Sequence, residues 1–298
     1  MSTKRLFCGA LLVMGSNVWA ADAVPKVEAP ETSKLDVIEV ELPAGFIEAT
    51  PIPVPVAEPK EPGKPEEAFL PYEMEAGYSY SRLNNGYEDW NGVYVNAEMK
   101  LGSRNNIYGS VRKENRYAKV DTEMMGGIYD PINEYLTVIV EASASTTHFV
   151  LPSRAFFGQL QYEGAKGWIG GVGLRHTEYN ASLVNLFTPT LERSWGNYRV
   201  AYTRYLSYFS GHGTVNSNQL QFAKYYGNRN WVGVTTSSGN ELETLPTSQM
   251  LSSHVRTLVV SGRHWIISRI ALTYNIGSYH QGSFYTRNGV QLGLRYQF

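Results

Sequence analysis

Apolar and polar residues alternate one by one along most of the chain after residue 71. Near the C-terminus, for example, Leu292, Leu294 and Tyr296 alternate with a second set of positions that includes Gln291, Arg295 and Gln297, and the same period of two runs through residues 93–101 and 136–143. A period of two predicts β-strands with one apolar and one polar face. No apolar run approaches the roughly 18 residues that a transmembrane helix needs. The pattern therefore indicates an all-β chain.

Clusters of turn-forming residues divide this region at intervals of about 30 residues, the length of one membrane hairpin. They lie near residues 102–105, 130–133, 163–167, 194–197, 227–230 and 261–264. Longer connections fall between them, at residues 82–89, 146–153, 208–218 and 237–253. Short turns at one end and long loops at the other are typical of outer-membrane barrels, whereas a soluble β-sandwich has no reason to separate loop lengths in this way.

Six tight turns separate seven hairpins, so the sequence predicts a transmembrane antiparallel up-and-down β-barrel of about fourteen strands over residues 72–298. Twelve strands are the alternative, because Gly126 and Gly127 blur the period between residues 121 and 129. An even number of strands places both ends of the barrel on the periplasmic side.

The first twenty residues have the features of an export signal. Lys4 and Arg5 precede an apolar stretch at residues 6–14, and Ala20 ends a plausible cleavage site. We predict a signal peptide over residues 1–20, which would also remove Cys8, the only cysteine of the chain.

Residues 21–71 are predicted to be a periplasmic linker. Ten of the fourteen prolines lie between Pro25 and Pro71, and such a density favours an extended, solvated chain without a packed core. Residues 22–71 hold eleven Asp or Glu against four Lys. Within them, residues 35–42 are apolar enough to add a strand to the sheet edge of a periplasmic partner, with a plain spacer as the alternative.

The residues on the polar face of each predicted strand should point into the barrel. More of these residues are basic than acidic. The acids are Glu98, Glu114 and Glu141, and the bases are Lys100, Arg112, Arg116, Arg175, Arg199, Arg269, Arg287 and Arg295. A basic wall would attract anionic solutes or an acidic glycan. The alternative is a structural network in which Arg and Glu on facing strands pair.

Five histidines fall at or near the predicted outer loops: His148, His176, His212, His254 and His280. A hydrolase at the extracellular rim would also need a nucleophile and an orienting group, for which Ser278, Ser283, Asn275, Asp121 and Glu178 are candidates. Their spacing is not specific to any reaction, so we predict no enzyme. The spacing that metal sites require is also missing, and we predict no metal and no cofactor.

The C-terminal strand, with Tyr296 and the final Phe298, resembles the signal by which outer-membrane proteins are recognised for barrel assembly. Together with Arg116-Tyr117, residues 168–175 and residues 194–199, the region from residue 72 to the end resembles the YaiO family of outer-membrane barrels. The resemblance implies an outer-membrane protein often associated with exopolysaccharide systems, and it supplies no catalytic residue.

The predicted function is a pore or an export-associated component for anionic solutes or exopolysaccharide, with an extracellular-rim hydrolase and a closed structural or adhesive barrel as alternatives. Expected partners are outer-membrane lipid, lipopolysaccharide, the barrel assembly machinery, polysaccharide and a periplasmic protein bound by the linker. A formal net charge of -1 predicts no nucleic-acid partner.

Overall fold

A computed structural model describes residues 70–298, apart from residues 103–104, 181, 211–212, 228 and 245–249 and the side chains of residues 241–244 and 250–252. The predicted signal peptide, and the predicted linker up to residue 69, lie outside the described residues. Within the described part of the chain, no helix is long and apolar enough to cross a membrane.

The described chain forms fourteen strands, as the turn count predicts. They are β1 (Tyr72–Leu83), β2 (Trp90–Lys100), β3 (Asn106–Arg116), β4 (Lys119–Pro131), β5 (Leu136–Ser145), β6 (Arg154–Glu163), β7 (Trp168–Glu178), β8 (Leu183–Trp195), β9 (Tyr198–Phe209), β10 (Gly213–Tyr226), β11 (Asn230–Thr244), β12 (Met250–Ile267), β13 (Ile270–Gln281) and β14 (Tyr285–Gln297). A single 3₁₀ turn, Ala165–Gly167, connects β6 to β7.

Each strand pairs antiparallel with its neighbours in sequence, and β1 pairs with β14 to close the barrel. This closing seam runs from Glu73 opposite Gln297 to Leu83 opposite Arg287. Both termini of the described chain therefore lie at one end, which we call the periplasmic end; the opposite end is the outer end. Closure leaves no free sheet edge, which is the condition for a sheet to span a membrane.

The outward faces of the strands form an apolar band, with side chains such as Val172, Leu174, Leu258 and Ile276 at least 49% exposed. Aromatic rings border this band at the periplasmic end. Tyr72 stacks on Phe298, Tyr135 on Tyr162, and Trp195 on Tyr198, with ring centroids 5.6, 6.2 and 6.2 Å apart. An apolar band with an aromatic girdle is the surface that a membrane barrel presents to lipid.

Two of the predicted long loops are wrong in extent, because the strands continue into them. β10 already begins at Gly213, and β11 and β12 pair as far as Thr244 opposite Met250. Above the apolar band the outward side chains of these strands become polar, as at Ser238 and His254. There the outward positions are no longer apolar, although the two strands remain hydrogen-bonded to each other. Because the alternation of apolar and polar residues stops, the sequence pattern indicates a loop.

Two turns also differ from the prediction. Residues 261–264 lie inside β12, where Gly262 pairs with Val232, and the tight turn falls instead after Ile267. At the outer end, β3 and β4 are joined by only Tyr117 and Ala118, both with positive φ, of 52° and 57°. Two positive φ angles suit a tight hairpin, so loop lengths do not alternate strictly between the two ends.

Candidate functional site in the barrel lumen

The inward faces of the strands are polar and densely filled. Seven glutamines are at most 9% exposed there, namely Gln159, Gln161, Gln219, Gln221, Gln281, Gln291 and Gln297. In a wide water-filled channel such side chains would stay accessible. Their burial indicates that neighbouring side chains cover most of the wall and leave a narrow interior.

Six of the seven arginines predicted to line the lumen do face it. Arg116, Arg175, Arg199, Arg287 and Arg295 are buried, and the side chain of Arg112 is 11% exposed. The prediction for Arg269 is wrong: this residue lies exposed in the turn between β12 and β13, at the periplasmic end. Its misplacement follows from the wrong turn at residues 261–264, which put Arg269 within a strand.

The sequence prediction missed five inward-facing carboxylates. They are Glu73, Glu75, Asp121, Glu123 and Glu192, and they join Glu98, Glu114 and Glu141. Among the described residues that are buried, seven carboxylates stand against five guanidinium groups. The predicted basic excess is therefore not found. Strand parity could have located these acids, since Glu73 and Glu75 share the parity of Ser79 in β1.

Most of the buried charges form ion pairs between side chains of different strands. Arg112 Nε lies 2.7 Å from Glu123 Oε2, and Arg175 Nη2 lies 3.1 Å from Glu141 Oε2. Arg199 donates to Glu192, with both side chains 2% exposed. Each pair cancels its own charge, so the field in the lumen is much weaker than a row of free arginines would produce.

A larger cluster lies toward the periplasmic end. Arg295 contacts Glu73 at 2.7 Å, Glu75 at 2.9 Å and Glu98 at 3.7 Å, and Lys100 contacts Glu73 at 2.8 Å. The three carboxylates come from β1 and β2, and the two bases come from β14 and β2. The cluster therefore crosses the seam and fixes β1 and β14 to one another.

The outer end of the lumen is narrowed in two ways. Trp90, Leu83 and Tyr285 form a buried cluster, and the guanidinium of Arg287 lies 4.8 Å from the centre of the Trp90 ring. On the neighbouring wall, the loop after β5 folds inward: Asp121 accepts hydrogen bonds from the backbone N–H groups of Val150 and Leu151, at 2.6 and 2.8 Å.

The middle of the lumen has a belt of small, half-exposed side chains. These residues carry no charge, and they are Asn96, Ser110, Ser143, Thr203, Thr235 and Asn275. Their size and partial exposure give the barrel its accessible interior surface, which offers hydroxyl and amide groups for hydrogen bonding.

Arg263, which the sequence prediction placed in a turn, faces the lumen beside the Arg295 cluster, where Glu73, Glu75 and Glu98 are near enough to interact with its charge. Its Nε is buried and has no hydrogen-bond partner among the described residues. Next to it, the indole nitrogens of Trp231 and Trp265 are also buried without a hydrogen-bond partner. Arg229 stacks on Trp265 with its guanidinium carbon 3.7 Å from the ring centre. We call Arg229, Trp231, Arg263 and Trp265 the donor patch.

The residues proposed for a hydrolase at the extracellular rim do not assemble into one site within the described part of the chain. His176 contacts Glu178 and Asn185 on the outward face, at 3.2 and 2.7 Å. His280 contacts Thr286 at 3.0 Å, and no described histidine nitrogen contacts Ser278 or Ser283. His148 contacts the carbonyl of Ser145, and His212 lies outside the described residues.

Asp121 and Asn275 also have other roles: Asp121 holds the inward loop, and Asn275 donates to Gln291 at 3.2 Å. Within the described residues, no three His, Cys, Asp or Glu side chains are grouped to hold a metal ion.

The two residues of the predicted assembly signal lie side by side on the outward face. The rings of Tyr296 and Phe298 stack 5.7 Å apart, and Phe298 exchanges two backbone hydrogen bonds with Tyr72, at 2.9 and 3.1 Å. The last residue therefore belongs to both the aromatic girdle and the closing seam.

Comparison with known proteins identifies the fold. Residues 72–243 match the family described as YaiO membrane β-barrel domain. No curated protein sequence matches the chain. Among solved structures, a bacterial polysaccharide outer membrane secretin is similar with a TM-score of 0.51 and 9% identity, covering 77% of this chain and 99% of that one.

Two further barrels are similar over the same shares, 77% of this chain and 99% of theirs: an anion-selective porin from Comamonas acidovorans, with a TM-score of 0.43 and 10% identity, and the outer membrane protein Omp33 of Acinetobacter baumannii, with 0.46 and 11%. At such identities the similarity to solved structures is one of fold.

Proposed function

Since this chain belongs to the YaiO family of membrane β-barrels and is an outer-membrane protein, we propose that it is a narrow pore or an export-associated component for exopolysaccharide or other anionic material. A barrel of similar fold is a polysaccharide secretin, so the architecture is compatible with a glycan path.

The donor patch is the observation that carries this proposal. Three buried N–H groups, on Trp231, Arg263 and Trp265, have no acceptor among the described residues. Burying a donor without a partner costs about 1–3 kcal/mol, so such groups call for an acceptor. Sugar hydroxyls and uronic-acid carboxylates are acceptors, and indole faces are suited to pyranose rings.

A passing solute would then be selected by direct contact with the donor patch more than by an electrostatic field along the lumen wall. The paired arginines contribute little net charge, and Glu73, Glu75 and Glu98 partly offset the charge of Arg263. Arg229 is held beside Trp265 by hydrogen bonds to Gln297 and to the carbonyl of Ser268. Anionic groups entering from the periplasmic end would meet the donor patch first and the neutral belt next.

Conductance of the full chain in a planar bilayer tests the proposal, with oligogalacturonate added on each side. We expect small channels that oligogalacturonate blocks at a lower concentration than neutral oligosaccharides of equal length. Arg263→Gln should weaken this block several-fold. The control is Arg193→Gln, because Arg193 also lies at the periplasmic end, 5.1 Å from the Trp168 ring, but on the outward face. A barrel that neither conducts nor binds the oligosaccharide would instead be a closed structural barrel.

A further inference from the structure

Three polar side chains lie in line on the outward face of β11 and β12, near the outer end. Ser238 Oγ is 3.3 Å from Nε2 of His254, and Nδ1 of His254 is 3.0 Å from Oδ1 of Asn240. Both Ser238 and His254 belong to strands here, whereas the sequence pattern predicts a loop from residue 237 to residue 253. The continuing strand ladder sets Asn240 directly opposite His254.

We propose that Ser238, His254 and Asn240 form a hydrolytic site for acyl-ester lipids. In this arrangement the Nδ1–H group of His254 donates to Asn240, which leaves the lone pair on Nε2 to accept the hydroxyl proton of Ser238. A nucleophile, a base and an orienting group in this order are the parts of an acyl-transfer triad. A Ser–His distance of 3.3 Å is within the looser range of sites without substrate.

Arg256 supplies a fourth component. It pairs with Ser238 in the strand register and, like Ser238, is exposed on the outward face. Its guanidinium can bind a lipid phosphate or the negative oxygen that develops when the ester carbonyl is attacked.

The position of the site on the barrel selects the substrate. Val234 and Leu258 belong to the outward apolar band, and Ser238 and His254 lie four residues further toward the outer end on the same strand faces. At about 3.3 Å per residue on strands tilted by about 40°, this is about 10 Å along the membrane normal from the Val234 and Leu258 side chains. The site therefore lies where the apolar band gives way to polar outward side chains, which is the level of the lipid esters. The substrate class is therefore a membrane lipid with its ester in the outer leaflet.

The reaction balances with water as the only co-reactant. Ser238 Oγ attacks the ester carbonyl carbon while His254 Nε2 takes the hydroxyl proton. The carbon–oxygen bond of the ester breaks, and His254 returns the proton to the departing alcohol. Water, deprotonated by His254 Nε2, then attacks the acyl-serine; the bond to Ser238 Oγ breaks, His254 returns the proton to Oγ, and a fatty acid is released.

Two measurements on the full chain in vesicles test this site. The first is fatty-acid release from vesicles of phosphatidylethanolamine and, separately, from vesicles containing lipid A, which distinguishes the two lipid sources. The second is labelling of Ser238 by a fluorophosphonate, read by mass spectrometry. We expect release from at least one lipid, and Ser238→Ala should lower it by about 10³-fold or more.

Matched variants separate catalysis from structure. Ser278→Ala removes an exposed serine from the outward face of β13 and should leave release unchanged. Asn240 acts through His254 as a positioning residue, so Asn240→Asp should keep most of the activity and shift its pH profile, whereas Asn240→Leu should abolish it.

Absence of both fatty-acid release and fluorophosphonate labelling in the folded wild-type barrel would overturn the proposal, as would release that persists in Ser238→Ala. Neither measurement depends on conduction, so the lipid site and the proposed pore can fail independently.

Discussion

Arg175 on β7 and Glu141 on β5 are joined across the intervening strand β6, with 3.1 Å between Nη2 and Oε2 and side chains only 8% and 2% exposed. Tyr108 donates a second hydrogen bond to the same carboxylate, at 2.7 Å. The interior of the barrel is thus held together by charged groups that depend on one another.

Removing one partner of this pair should destabilise the barrel strongly. Arg175→Met leaves Glu141 buried without its cation, and such a loss costs about 3–5 kcal/mol. The double variant Arg175→Met with Glu141→Leu should recover most of this. Urea unfolding in vesicles measures the difference. In Arg154→Gln, which breaks an exposed pair with Glu178, unfolding should hardly change; equal losses in both variants would contradict a buried network.

Gly127 should not tolerate a methyl group, whereas its neighbour should. A Cβ at Gly127 would lie 2.6 Å from the ring of Tyr108, while nothing lies within 4 Å of a Cβ at Gly126. Gly127→Ala should therefore cost about 1–3 kcal/mol through overpacking, and Gly126→Ala should be close to neutral. The same unfolding assay compares them. Tyr108→Ser is itself destabilising, because Tyr108 donates to Glu141. Added to Tyr108→Ser, however, Gly127→Ala should cost much less than it does in the native chain, and an equal cost in both would show that the ring is not the obstacle.

Surface labelling should confirm which end of the barrel faces outward. Glu88 is exposed in the connection from β1 to β2, at the outer end, and Glu134 is exposed in the turn between β4 and β5. In intact cells a membrane-impermeant thiol reagent should modify Glu88→Cys and spare Glu134→Cys. Both should react after the outer membrane is permeabilised, and the reverse pattern in intact cells would invert the topology.

Deleting Phe298 should lower the amount of folded barrel in the membrane. The deletion removes the ring that stacks on Tyr72 and Tyr296 and two backbone hydrogen bonds of the seam. Heat-modifiable mobility on gels measures the folded fraction. Phe156→Ala removes another exposed ring, distant from the seam, and should have a smaller effect. Unchanged yield without Phe298 would argue against an assembly signal.

Strand number could be predicted because turn chemistry and a period of two are local properties of the sequence. Lumen arginines such as Arg175 and Arg199 could be located for the same reason, since parity alone turns them inward. The ion-pair partners of these arginines could not be predicted in this way. Glu141 and Arg175 meet because β5 and β7 both flank β6 in the closed sheet, and the register of the strands sets the two residues at the same level.

Where the pattern failed, the membrane boundary was the cause. Beyond the apolar band the outward side chains have no reason to be apolar, so Ser238 and Asn240 in β11 give no strand signal although their backbones remain paired. The turn wrongly predicted at residues 261–264 misplaced two candidate lumen residues. It excluded Arg263 from the lumen and placed Arg269 within a strand.

The seam between β1 and β14 also constrains the order of folding. Arg295 and Glu73, which it brings together, are 222 positions apart in the chain, whereas every other strand pair is a hairpin between consecutive strands. Hairpins form from local contacts, but joining distant segments requires loop-closure entropy to be overcome first. A chain in which only the hairpins between consecutive strands had formed would be an open sheet with two unpaired edges, and pairing of β1 with β14 is what removes those edges from contact with other chains.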